Sequence, residues 1–265
     1  MRRVRRPAVA GLFYPGGEAD LAGTVDGLMA EGRAQAGRAA ATVPKAVIVP
    51  HAGYIYSGAM AASAYARIEQ AAEQITRVVM FGPSHRVALR GLALPTSQAF
   101  QTPLGDVPVG AAEVDDLPQV MVTDAPHAQE HSIEVQLPFL QRILGAFELV
   151  PFAVGQAEPK EVAEVVDRCW GGPETLLVFS TDLSHYYAYE TAQRLDEETV
   201  QQMVALTGPI EPTRACGARP VNGFLVSAAH RGLSTELYGW CNSGDTAGDK
   251  ERVVGYAAIG AYEPE

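Results

Sequence analysis

Val47-Ile48-Val49-Pro50-His51-Ala52-Gly53-Tyr54-Ile55-Tyr56-Ser57-Gly58 decides the fold. An apolar run ends in a proline and releases a histidine into a turn rich in glycine, tyrosine and serine, after which Ala59–Tyr65 reads as the start of a small-residue helix. Two later runs repeat the design: Arg77-Val78-Val79-Met80-Phe81-Gly82-Pro83-Ser84-His85 and Leu176-Leu177-Val178-Phe179-Ser180-Thr181-Asp182-Leu183-Ser184-His185. Short continuous apolar runs bounded by turn residues and alternating with helical patterns mark buried strands of an α/β sheet. Ligands in such sheets bind outside the strands' carboxyl ends, so His51, His85 and His185 are predicted to share one crevice.

Working outward, Lys45–Val49, a helix over Ala59–Gln74 and Arg77–Phe81 form a βαβ unit whose two strands are expected to be parallel neighbours. Upstream, Glu18–Gln35 has helical spacing and Ala36–Ala41 reads as a loop. Downstream, Gly91–Pro95 and Ala99–Val109 suggest an antiparallel hairpin, Ala111–Leu117 a short helix and Val120–Val122 a strand. Glu130–Leu144 reads as one helix kinked at Pro138. Strands at Phe147–Phe152 and Thr175–Phe179, helices at Lys160–Trp170, Gln193–Leu206 and Pro220–Arg231, and strands at Thr235–Trp240 and Arg252–Tyr262 complete a single α/β domain spanning 1–265, with a mixed, mostly parallel sheet flanked by helices.

With 265 residues, 47% of them hydrophobic, the chain has material for a large core. A net charge of −11 argues against nucleic-acid or anionic-membrane partners, which need clustered cations. The arginines of the first six residues precede an apolar stretch too short for a signal peptide, and no run approaches a membrane span. Cys169, Cys216 and Cys241 form neither an even set nor a C-x-x-C pair, which argues against a disulfide framework and a cysteine zinc site; the expected location is the cytoplasm.

Two imidazoles and a carboxylate on one face of iron(II) leave open positions for substrate and dioxygen. His51 and His85 supply the nitrogens of this reading, and Asp245, in the glycine-rich turn Cys241–Asp249, the carboxylate. Asp182 is the rival ligand or an acid orienting a histidine, and His185 is then an unligated general acid/base. Copper or zinc are the alternative metals, and Cys241 a soft alternative ligand. A competing motif, His127-Ala128-Gln129-Glu130-His131, has the H-x-x-E-H spacing of inverted zinc peptidases and would make a zinc hydrolase if one helix ran through it. On the milder view, His131 and Glu134 face the common crevice. Dinucleotide, P-loop and nucleophile-elbow signatures are absent.

Gly11-Leu12-Phe13-Tyr14-Pro15, Pro50-His51-Ala52-Gly53-Tyr54, Gly82-Pro83-Ser84-His85, Glu130-His131-Ser132-Ile133-Glu134 and Ser180-Thr181-Asp182-Leu183-Ser184-His185-Tyr186 resemble, in order, the motifs of the Memo family, whose bacterial members are called AmmeMemoRadiSam system protein B. The resemblance implies a fold like that of class III extradiol dioxygenases and a metal site matching their two-histidine, one-carboxylate iron centre. It carries His51 and His85 over as ligands, with Asp182, His185 and His131 beside them as catalytic residues. Animal members place a cysteine in the final turn, where Asp245 falls closest in this chain. The resemblance also implies redox chemistry or binding of a small molecule or peptide in the cleft, and an association with a radical-SAM protein.

Overall fold

The computed structural model describes residues 3–36 and 42–264. In chain order its elements are β1 (Val4–Arg5), α1 (Glu18–Ala36), β2 (Ala46–Val49), α2 (Tyr54–Tyr65), β3 (Arg77–Pro83), β4 (Leu92–Leu94), β5 (Ala99–Thr102), β6 (Gly105–Pro108), β7 (Val120–Val122) and α3 (Ala125–Ala128). The second half of the chain adds α4 (Leu137–Leu144), β8 (Glu148–Val154), α5 (Pro159–Arg168), β9 (Thr175–Ser180), β10 (His185–Tyr187), α6 (Tyr189–Val204), α7 (Ala218–Arg231), β11 (Ser234–Asn242) and β12 (Val253–Tyr262).

The main sheet runs β10-β12-β2-β9-β3-β8-β4-β7, with β11 also paired to β12. Its centre, β2-β9-β3-β8, is wholly parallel, and β12 and β4 flank it antiparallel. Because side chains alternate along a strand, each central strand feeds two cores. Ile48, Phe81 and Phe179 face one layer with Val162 of α5 and Phe224 of α7. Val47, Met80 and Val178 face the other with Leu21 of α1, Ala62 of α2 and Leu140 of α4. The expected α/β class with a mixed sheet between helices is what forms.

Several local expectations are corrected. Strands β2 and β3 are parallel but not adjacent, because β9 lies between them and pairs with both. Its run Thr175–Ser180 is buried throughout, which suits the middle of a covered sheet. The predicted hairpin is split: Leu92–Leu94 joins the main sheet, whereas β5 pairs with both β6 and β1 in a separate small sheet. Residues 111–117 form no helix. Glu130–Leu144 is not one kinked helix. Its first part is irregular, a short 3-10 turn covers Glu134–Gln136, and Pro138 stands in the first turn of α4, where its missing N–H costs no helical bond. Helix α2 starts earlier than expected, at Tyr54. Of the expected Ala36–Ala41 loop, Ala36 closes α1 and 37–41 lie outside the described residues.

Candidate metal centre

The carboxyl ends of β2, β9 and β3 lie side by side on one sheet edge, and the residues just beyond them line a pocket of about 630 Å³. His51 comes after β2 through Pro50, His85 after β3, and Asp182 after β9, with His185 three residues on. His131 enters from the irregular segment before α4; its ring lies 4.9 Å from that of His85 and 5.3 Å from that of His51, centroid to centroid.

Hydrogen bonds fix which nitrogen of each histidine is free. His51 Nδ1 lies 2.9 Å from Ser180 Oγ at the end of β9. The single hydroxyl proton of Ser180 goes to the Ser132 carbonyl at 2.6 Å, so His51 Nδ1 must carry the proton it shares with Ser180. Gln136 Nε2 donates to the same hydroxyl and to the Pro50 carbonyl, which ties the turn after β2 to the segment before α4. His51 Nε2 is left as a lone pair, 3.2 Å from Cys216 Sγ. Complete burial, together with the neighbouring His131, His85 and His185, holds the His51 imidazole well below its ordinary pKa, and therefore neutral.

Glu130 does the corresponding work at His85. Its Oε2 accepts the His85 amide at 2.6 Å and its Oε1 accepts His85 Nδ1 at 2.9 Å, while the amides of His131 and Ser132 also donate to Oε1. Burial alone would raise the Glu130 pKa, but these hydrogen bonds and the nearby His85 hold it down to about 2. A carboxylate on Nδ1 directs Nε2 outward as the donor atom, the arrangement common behind metal-bound histidines.

Cys216, just before α7, is the third candidate donor. Its amide donates to the Asp182 carbonyl, and its sulfur accepts the Asp182 amide at 3.3 Å. Gly217 permits this approach, since a β-carbon there would come within 2.6 Å of the Ser180 carbonyl. Burial, then the nearby Asp182, raises the thiol's pKa strongly. A bound cation would reverse that preference, because a coordinating thiol is deprotonated outright. One donor atom each from His51, His85 and Cys216 lies within 4.8 Å of the others, and His85, Glu130 and His131 form a second such group. Two imidazoles and a thiol so arranged fit a transition metal.

The other expected residues fall into place unevenly. Asp182 lines the pocket, but its carboxylate accepts the amides of His51, at 2.7 Å, and Ala52, so it shapes the turn after β2. Burial pushes it up to about 7. His185 lines the pocket with Nδ1 on the Leu183 carbonyl at 2.8 Å, leaving Nε2 for proton exchange. Burial lowers His131 to about 4 and also lowers His185.

Asp245 is not brought to the histidines. It is exposed and closes a 3-10 turn, accepting the Asn242 amide and the Tyr189 hydroxyl. Cys241, the soft alternative, is likewise outside both donor groups. The H-x-x-E-H motif is divided: α3 ends at Ala128, and His127 turns away to donate Nε2–H to the Ala93 carbonyl at 2.9 Å. Glu134 does not face the crevice either; it is fully buried, pairs with Arg5, and accepts the Ala8 and Val9 amides and the Tyr14 hydroxyl. Cys216 is the residue that sequence reasoning passes over. Its one local signal is the Cys216-Gly217 pair immediately before a helix.

Among the described residues no helix is long and apolar enough to cross a membrane. A family model described as Memo-like protein matches residues 5–260. A MEMO1 family protein of Methanopyrus kandleri is 35% identical over 295 aligned residues, covering 96% of this chain and 98% of the relative. Proteins of the same description from Aquifex aeolicus and Methanosarcina acetivorans are 35% and 34% identical, each covering 97% of this chain and 98% of their own length.

Proposed function

The chain belongs to the Memo family, and from that premise we propose that it is a metal-dependent oxidoreductase whose centre is held by His51, His85 and Cys216. The observation that carries the reading is the pair of fixed tautomers: Ser180 and Glu130 each occupy an Nδ1, leaving Nε2 of His51 beside the Cys216 sulfur and Nε2 of His85 as the free donor. Iron(II) is the first metal for this site, and copper the second, favoured by the soft sulfur donor. When bound, such an ion supplies one-electron chemistry and open coordination positions for substrate or dioxygen.

The chain's own residues supply the rest. His185 holds or takes up a proton at Nε2, and His131, neutral because it is buried, stands across the pocket as a second acid/base or as a substrate contact. Phe13, Tyr56 and Tyr186 form aromatic walls suited to a planar small molecule or a peptide side chain. A second reading, a peptide-binding module without turnover, is favoured by Leu12 and Ile55, which are 80% and 70% exposed beside the lining residues Phe13 and Tyr56.

Anaerobic purification, loading with iron(II) or copper(I) and metal analysis test the proposal, followed by dioxygen uptake with catechol-like compounds. We expect about one metal per chain in the wild type and loss of that metal in the His51→Ala, His85→Ala double variant. Equal metal content in the two proteins would sink the reading. Loaded protein that takes up no dioxygen but retains peptide would favour the binding module.

A further inference from the structure

His185 owes its orientation to a segment held from behind by groups that never reach the pocket. Its Nδ1–H is bound by the Leu183 carbonyl at 2.8 Å. The Leu183 amide donates to the Gly255 carbonyl at 2.8 Å, and the Gly255 amide donates to the Ser184 carbonyl at 2.9 Å, which clamps the segment to β12. On the other side the Ser184 amide donates to Asp196 Oδ1 at 2.9 Å. Asp196 projects from α6 and is completely buried. Its second oxygen, Oδ2, has no hydrogen-bond partner among the described residues and lies against Gly255, where a β-carbon would come within 2.0 Å of it.

Stability alone does not account for this carboxyl. An acid buried beside the amide and hydroxyl of a single residue, Ser184, with no salt-bridge partner among the described residues, costs more than an apolar side chain of the same size. Burial pushes Asp196 up to about 6. What the acid provides instead is a fixed acceptor under the one residue, Ser184, that joins the Leu183 carbonyl to His185.

We infer that Asp196 is a positioning residue for His185: with Gly255 it fixes the Leu183–Ser184 segment so that the Leu183 carbonyl holds Nδ1–H and Nε2 faces the pocket. The importance of this arrangement rests on the acid/base reading of His185, but the arrangement itself is tested without any activity.

The test is long-range proton–nitrogen NMR of the histidine side chains in the full chain, with the buried His127 as internal control. The wild type is expected to show His185 as the Nδ1–H tautomer. Asp196→Asn, which keeps an acceptor oxygen for the Ser184 amide, should preserve it. Asp196→Leu, of similar volume without an acceptor, should shift the tautomer ratio about tenfold toward Nε2–H, the size of one lost orienting hydrogen bond, with the His127 signals unmoved. An unchanged His185 in folded Asp196→Leu overturns the proposal. Should that variant not fold, Gly255→Ala crowds Oδ2 from the strand side without entering the pocket, and an unchanged His185 there overturns it equally. Full turnover in His185→Ala would sink the acid/base reading while leaving the NMR result standing.

Discussion

Replacing Cys216 by alanine should remove more metal affinity than the loss of any orienting partner, because it deletes a donor atom. Glu130→Gln removes the charge behind His85 and turns one of its two acceptor oxygens, each of which takes an N–H, into a donor; about a 10–100-fold loss of affinity is expected, measured by competition with a chelator. Asp245→Ala should leave metal content unchanged and cost about 1 kcal/mol of stability, the worth of a capping carboxylate, read from chemical denaturation. Metal loss in Asp245→Ala would restore the carboxylate to the ligand set. The sequence made His51, His85 and His185 legible because each stands just beyond a recognisable strand run. Cys216 has no such run before it: the irregular chain before α7 carries it to the pocket, and its partner His51 is distant in sequence. Asp245 looked better placed because glycine-rich turns bring acids to metals, but here the turn uses its acid for its own closure.

At the scale of elements, the N-terminal segment and the Glu130–Gln136 segment are organised together. Arg5 pairs with Glu134 and donates to the carbonyls of His127 and Glu130, while Glu134 gathers two amides of the N-terminal segment and the Tyr14 hydroxyl. Both charges are buried, so removing one leaves the other without compensation, and Glu134→Ala should cost about 3–5 kcal/mol. It should also speed hydrogen exchange at the Ala8 and Val9 amides; slow exchange at both would show that the segment is held by other contacts. Phe13 packs its ring 4.8 Å from that of His131, so release of this segment would open one wall of the pocket. The sheet itself was readable from apolar runs, since β2, β3, β8 and β9 are each almost wholly buried. Strand order was not, because periodicity reports burial and not neighbours, and the insertion of β9 between β2 and β3 is a long-range pairing. The apolar spacing of Glu130–Leu144 misled for a related reason: Ile133 and Val135 are buried in the core from an irregular segment and a 3-10 turn, which polar bonds to Arg5, Ser180 and His85 hold in place of helical bonds.

Over the whole molecule, two sets of buried groups act on stability with opposite sign. His127 is held near 4 by burial, below its ordinary 6.5, so the unfolded chain binds a proton that the folded chain refuses. Its contribution is fully present above pH 6.5 and is lost as pH falls toward 4, by about 3 kcal/mol at the limit. Asp196 is raised to about 6, so its contribution is present below the unfolded value of 3.8 and is lost as pH rises through 6, again by about 3 kcal/mol at the limit. Between pH 4 and 6.5 these two contributions oppose each other, and each is read only as the difference between wild type and the variant that removes it. Single substitutions separate them. Relative to wild type, His127→Gln should gain stability as pH is lowered from 7 to 4.5, whereas Asp196→Asn should gain as pH is raised over the same interval. Urea denaturation of the three proteins at both pH values measures these differences directly. A difference between wild type and His127→Gln that does not change with pH would mean that His127 takes up its proton equally in the folded and unfolded chains, and that its buried ring is not the source of acid sensitivity.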